Sequence, residues 1–324
     1  MPRSRRLPRL ARLVGMSDLG ELTHQAVKQL EPHHHGVVVA ALDGDATEIQ
    51  GTAGHDAGAR FEIGSVSKVF TAIVLARLVD AGQVRLDQPL RDFLPAPEGI
   101  TLRHLAQHTS GLPRLPKGMM LRALLRPNTP DPYRHCTADF LIANLARISP
   151  APPGRRFRYS NLGAGLLGLA LSRHTGLTYP ELVNREIHFL RGTDTAGPTV
   201  QGHDARRRPV APWHLADLAG AGGLRSTVTD VAAFVRAHFD DGPLTPAVRL
   251  ALAAEHRMNP FMTVRLGWMR TAQGQIFHNG QTGGFYSFAG FDPEKRTGVV
   301  ILSDTVRSTD RIAMELLKNL SSRA

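Results

Sequence analysis

Three short groups of residues carry reactive side chains at spacings that chemistry can use. In Phe61-Glu62-Ile63-Gly64-Ser65-Val66-Ser67-Lys68 a serine hydroxyl and a lysine amine stand three positions apart at the head of a strongly apolar run. Residues i and i+3 share a helix face, so Lys68 can reach Ser65. Burial and the positive end of a helix both disfavour an ammonium ion, moving lysine towards a base able to activate a serine nucleophile. Taken alone, the same spacing also describes a snorkelling lysine beside an incidental serine. Tyr159-Ser160-Asn161 sets a phenol and an amide at a loop-to-helix junction, just after Ala151-Pro152-Pro153-Gly154. A half-buried tyrosine and an N-cap asparagine give that pattern too. His278-Asn279-Gly280-Gln281 precedes Gly283-Gly284, and glycines let a strand edge lie close to a ligand.

The elements around these groups follow from periodicity. The run from Ser65 to Asp80 is apolar almost all round and stops at Ala81-Gly82, so a buried helix starts at the serine and puts the lysine one turn in. Gly36 to Leu42 reads as a buried strand, Asp43-Gly44-Asp45 as a turn, and Thr47 to Ala53 as its hairpin partner. Strands are expected again at 264–271, 275–279, 284–291 and 297–303. Helical patterns occupy 17–30, 101–107, 137–148, 162–175, 179–189, 245–255 and 308–321. The proline- and arginine-rich stretch 114–136 reads as a surface connection. Ala219 to Leu224 is a glycine-rich loop without a phosphate-binding lysine, and Ser226 or Thr227 caps the helix after it. Strands at both ends of the chain around a helical middle indicate one sheet domain, 16–88 with 210–324, and an inserted mainly helical lobe, 89–209.

Composition narrows the function classes. The chain has 324 residues, 42% of them apolar, enough for one large core or two lobes around a cleft. No uninterrupted apolar run reaches the roughly 18 residues of a membrane span. Cys136 is the single cysteine, so neither an intramolecular disulfide nor a thiolate metal cluster can form. A net charge of +11 raises nucleic-acid binding. However, Arg3, Arg5, Arg6, Arg9, Arg12 and the cluster Arg206 to Arg208 hold much of that charge without interleaved aromatics. That is a solvated basic surface, and no nucleic-acid partner is expected. Ser4-Arg5-Arg6 has the look of an export signal, but Pro8, Arg9 and Arg12 interrupt the apolar region that should follow. Residues 1–15 therefore read as a basic leader, Met16 as an alternative start, and the protein as cytoplasmic. His33-His34-His35 cannot all face one site on a strand and has no H-E-x-x-H context, so it reads as a solvated lead-in and no metal is expected.

Together, S-x-x-K at 65–68, Y-S-N at 159–161 and H-N-G at 278–280 resemble the three motifs of the penicillin-recognising serine hydrolases, the branch of class C β-lactamases, D-alanyl-D-alanine carboxypeptidases and related esterases. Leu105 to Pro113 and Ala221 to Ser226 match accessory stretches, and the resemblance spans about residues 35–305. It implies an α+β fold, an antiparallel sheet flanked by helices with the site beneath the helical lobe. It implies an enzyme without cofactor acting on a small-molecule or peptide substrate. Ser65 then corresponds to the acylated nucleophile, Lys68 to its basic partner and Tyr159 to the proton-shuttling phenol. The reference pKa values of Tyr159 and Lys68, near 10 and 10.4, are matched for proton sharing. Asn161 corresponds to the amide holding Lys68 and the substrate carbonyl. The backbone N–H groups of Ser65 and Gln281 correspond to the oxyanion hole, with Gly280 beside them. His278 stands where a lysine is otherwise found, which exchanges a permanent cation for a mostly neutral ring and weakens the hold on a substrate carboxylate. Carboxypeptidase- or esterase-like action is therefore expected ahead of efficient β-lactam hydrolysis. The rival reading is a non-catalytic binding or scaffold protein on the same fold.

Overall fold

A computed structural model of the chain describes residues 18–52, 54–119, 125 and 131–323. The leader expected at 1–15 and most of 120–130 lie outside the described residues. β1 (Val37–Asp43) and β2 (Ala46–Gly51) form the expected hairpin. β3 (Arg60–Glu62) precedes the serine and pairs with β6 (Arg225–Thr227) away from the main sheet. β4 (Gly202–His203) and β5 (Pro209–Val210) make a small second hairpin. β7 (His256–Asn259), β8 (Met262–Val264), β9 (Met269–Thr271), β10 (Ile276–Gln281), β11 (Tyr286–Asp292) and β12 (Thr297–Ser303) follow. Eight strands join in the order β2-β1-β12-β11-β10-β9-β8-β7, antiparallel throughout. The first strand of the sheet thus pairs with the last.

The period-2 alternation of β1 sorts its apolar side chains between two cores. Val37, Val39 and Ala41 pack with Val299 and Ile301 against α1 (Asp18–Leu30) and the C-terminal helix, Asp310–Ser321. Val38, Ala40 and Leu42 face the opposite core, with Val300, Leu302 and the apolar run after Ser65. That run is α2 (Ser67–Asp80), entered through a 3₁₀ turn at Gly64–Val66, so Ser65 sits on the turn and Lys68 in the first α-turn. α3 (Leu102–Ala106), α4 (Ala138–Leu145), α5 (Asn161–Thr175) and α6 (Tyr179–Glu186) supply the helical middle. α7 (Val228–Arg236) and α8 (Thr245–Ala253) lead back to the sheet, and the C-terminal helix is α9.

Three sequence expectations change. The single strand expected at 264–271 is two, because the N–H groups of Leu266 and Gly267 leave the sheet to bond the carbonyls of Ala251 and Ala106. The N-cap of α5 is Ser160, whose hydroxyl accepts from Gly163 N, so Asn161 is the first helical residue. Of the histidine trio only His33 is a solvated lead-in. His34 Nδ1 meets Ser303 Oγ at 2.8 Å and His35 Nδ1 meets Asp304 Oδ2 at 2.9 Å, both at the end of β12.

Candidate active site

The serine turn is gripped from both sides. Ile63 N donates to Leu224 O, Ser287 Oγ donates to Ile63 O at 2.7 Å, and Ser67 Oγ accepts from Leu224 N at 3.0 Å. Thr71 Oγ1 donates to Gly220 O at 2.9 Å. Hydroxyls one turn apart on α2 therefore fasten the glycine-rich loop to the helix, and that loop's Ala221 carbonyl accepts a hydrogen bond from Lys68. Lys68 Nζ also lies 2.8 Å from Ser65 Oγ. As an ammonium it donates to that oxygen; as a neutral amine it accepts the hydroxyl's proton.

Burial disfavours the ammonium form. Lys68 is 3% exposed, and desolvation, with Arg114 nearby, holds its pKa well below the ordinary lysine value. Tyr159 lies near enough to Ser65 for the hydroxyl to favour its phenolate, and Lys68 Nζ stands 4.9 Å from its ring centroid. Desolvation pushes the phenol up to about 12, against the smaller opposing effects of Ser65 and Arg114. The matched pair expected from reference values is thus split into a base and an acid, the arrangement that assigns roles in acid–base catalysis. Tyr159 is backed by His108, with ring centroids 4.4 Å apart. His108 Nδ1 accepts from Ser160 N, and the Pro113 carbonyl accepts from Ser160 Oγ, so the 105–114 stretch positions the Tyr159 loop.

Two site expectations are corrected. Asn161 does not hold Lys68: its Nδ2 donates to the Tyr133 hydroxyl at 3.4 Å, and its Oδ1 is buried without a protein partner. Ala221 O takes the place expected for it, a backbone acceptor that no side-chain motif can announce. His278 does not face a substrate carboxylate. It is 1% exposed behind the cleft, with its ring 6.3 Å from that of Tyr159 and its Nδ1 bonded to Asn279 O. Desolvation and then the charge of Lys68 lower its pKa to about 3, so it is a neutral wall.

The β10 edge meets the serine turn closely. β9 pairs with β10 only at Ile276 and Phe277, after which that edge runs past Gly64–Val66. A Cβ on Gly280 would stand 2.1 Å from Ile63 O and 2.9 Å from Ser65 N, and one on Gly64 would stand 2.7 Å from Gln281 N. Only glycines allow this approach, which brings the backbone N–H groups of Ser65 and Gln281 to one mouth of the site. A cleft of about 610 Å³ opens there, with Ser65, Tyr159, Asn161, Gly280 and Gln281 in its wall. Sequence reading missed Arg114, Tyr133 and Trp213, which line it too. Arg114 is the one formally charged residue among the described residues lining the cleft, its guanidinium 5.3 Å from the Tyr159 ring centroid. Trp213 falls in the stretch 192–215 that carries no motif, and its backbone N–H donates to the buried Glu62.

The family model Beta-lactamase matches residues 23–321. A beta-lactamase of Pseudomonas fluorescens is 25% identical over 296 residues, 75% of this chain and 79% of its own length. The D-alanyl-D-alanine-carboxypeptidase/endopeptidase AmpH of Escherichia coli K12 is 29% identical over 275 residues, 74% of this chain and 69% of its own. The crystal structure of a beta-lactamase/D-alanine carboxypeptidase from Pseudomonas syringae superposes with a TM-score of 0.79 at 20% identity, covering 95% of this chain and 99% of that one.

Proposed function

This chain belongs to the beta-lactamase family, and on that footing we propose that it is a serine hydrolase cleaving an ester, amide or β-lactam through an acyl-enzyme on Ser65. The carrying observation is Lys68 hydrogen-bonded to Ser65 with the Tyr159 ring beside them, at the wall of a cleft that also presents the β10 edge. Neutral Lys68 takes the Ser65 proton as Oγ attacks the carbonyl carbon. The backbone N–H groups of Ser65 and Gln281 receive the developing oxyanion. Collapse expels the leaving group, which takes a proton through the Tyr159 phenol. Water then attacks the acyl-enzyme, with the same groups removing its proton, and Ser65 is restored.

Carboxypeptidase- or esterase-like substrates are favoured over efficient β-lactam turnover. The buried neutral ring of His278 gives no cation to a substrate carboxylate, and the cleft's own charge, Arg114, lies beside Tyr159 instead. Relatives named both as beta-lactamase and as carboxypeptidase/endopeptidase accommodate this ranking. A non-catalytic binding protein would have no need to keep a depressed lysine against a serine.

Intact-protein mass spectrometry after exposure to a fluorophosphonate and, separately, to a penicillin tests the proposal. An adduct mapped to Ser65 and absent in Ser65→Ala supports it. An adduct with the fluorophosphonate alone selects the esterase form, whereas no Ser65 adduct with either reagent refutes the acyl-enzyme.

A further inference from the structure

Away from the cleft, four segments bring three imidazoles to one carboxylate oxygen. We propose that His35, His203 and Asp304, with His55 beside them, bind a divalent ion of the zinc type that clips the lead-in of β1 and the loop after β2 to the end of β12. Asp304 Oδ2 lies 2.9 Å from His35 Nδ1, 3.1 Å from His55 Nε2 and 3.6 Å from His203 Nδ1, which donates to the Asp304 carbonyl at 3.2 Å, a contact that ligation through that nitrogen breaks. One donor atom each from His35, His203 and Asp304 fall within 4.8 Å of one another. A tetrahedral zinc ion with bonds of about 2.1 Å holds its donors about 3.4 Å apart, the scale of these separations.

The carboxylate is held for the role. Its other oxygen, Oδ1, accepts from Gly36 N at 2.7 Å and from Thr305 Oγ1 at 3.1 Å, which leaves Oδ2 aimed at the imidazoles. His203 N donates to Asp304 O at 2.7 Å, so the backbone carrying one donor is tied to the other. The His55 ring packs directly over Gly36, where a Cβ would stand 2.1 Å from its Cε1. Imidazoles with one carboxylate suit zinc, whereas calcium and magnesium ask for oxygen-rich sets. Asp304 and His203 are buried and the His35 side chain is 51% exposed, so an ion can enter past His35.

The His35 and His203 rings stack with centroids 3.9 Å apart. Two rings sharing one ion stand about 5 Å apart, so loading opens the stack, a movement the half-exposed His35 can make. None of the four residues lines the catalytic cleft, which makes the ion structural. Its leverage falls on the segment between β2 and β3, which leads into the Gly64–Val66 turn.

The test uses the full chain, untagged and stripped with chelator, titrated with zinc chloride at pH 7.5 and followed by calorimetry, elemental analysis and thermal unfolding. One zinc per chain is expected, with a rise in Tm of about 5 °C at a hundredfold excess over Kd. His203→Gln and Asp304→Asn weaken binding at least tenfold. His35→Asn keeps the metal-free Tm and loses the zinc-induced rise, which decides the matter should Asp304→Asn not fold. His33→Asn, an exposed neighbour, binds as the unaltered protein does. The proposal is overturned if zinc does not bind stoichiometrically, if His35→Asn and His203→Gln bind undiminished, or if His33→Asn weakens binding equally.

Discussion

The Lys68 nitrogen stands 4.9 Å from the centroid of the Tyr159 ring, and the burial they share drives their proton affinities in opposite directions. The amine is lowered well below its ordinary value and the phenol is raised to about 12. Hydrolysis should therefore rise with pH as Lys68 loses its proton and hold level until the phenol ionises near 12. A pH profile of kcat/KM that descends between pH 8 and 10 would contradict this ordering. Lys68→Arg retains a cation but cannot release it, and is expected to lower kcat/KM by about 10²–10⁴.

Gly280→Ala should separate the strand edge from the serine turn, because its Cβ meets Ile63 O, Ser287 Oγ and Ser65 N. A fall in kcat of about 10²–10³ is expected, with a lower Tm. Steady-state kinetics beside a thermal melt measures both. An alanine variant with unaltered kcat would remove Ser65 N and Gln281 N from the oxyanion role.

Arg114→Gln should discriminate by substrate charge. For a pair of esters of like shape, one with a carboxylate and one neutral, KM for the anionic ester rises about fivefold and the neutral ester is little changed, the scale of a charge pair worth about 1 kcal/mol. Equal losses on both would assign Arg114 to the cleft wall alone.

His278→Lys places a second amine behind the cleft near Tyr159 and Lys68. A cation there draws the phenol's pKa down, so any alkaline fall in activity moves to lower pH, while Tm drops because another charge must be desolvated. The same profile and melt used for the unaltered enzyme check both effects.

Acid should unfold the protein through its buried histidines. Burial lowers His34 and His238 to about 4, and burial followed by the Lys68 charge lowers His278 to about 3. Each binds fewer protons folded than unfolded below the ordinary value of 6.5. Their stability contribution is whole above pH 6.5 and is lost as pH falls towards 4 and then 3, at about 1.4 kcal/mol per unit for each group. Denaturant midpoints measured from pH 7 to 4 should decline accordingly, and less steeply in His278→Gln.

The main elements and the S-x-x-K pair were legible because they rest on local periodicity: α2, β1 and β12 lie where their apolar patterns put them. What escaped depends on groups distant in sequence. Ala221 O holds Lys68 across the glycine-rich loop, where a backbone carbonyl leaves no side-chain signal. His278 carries the motif position but is turned inward, because positions 276, 278 and 280 of β10 are buried while 277, 279 and 281 are more open. Arg114 and Trp213 join the cleft from connections without periodicity, and the split of Lys68 from Tyr159 arises only once both are desolvated.

The pairing of β1 with β12 has a consequence for synthesis on the ribosome. Val37 to Asp43 leave the ribosome about 250 residues ahead of the partners they need, an interval on the order of 10 to 50 s at ordinary elongation rates. Throughout that interval a valine-rich segment with high β-propensity is without its central neighbour. The nascent chain is therefore exposed to aggregation until its last strand emerges, and slower translation lengthens the exposure rather than relieving it.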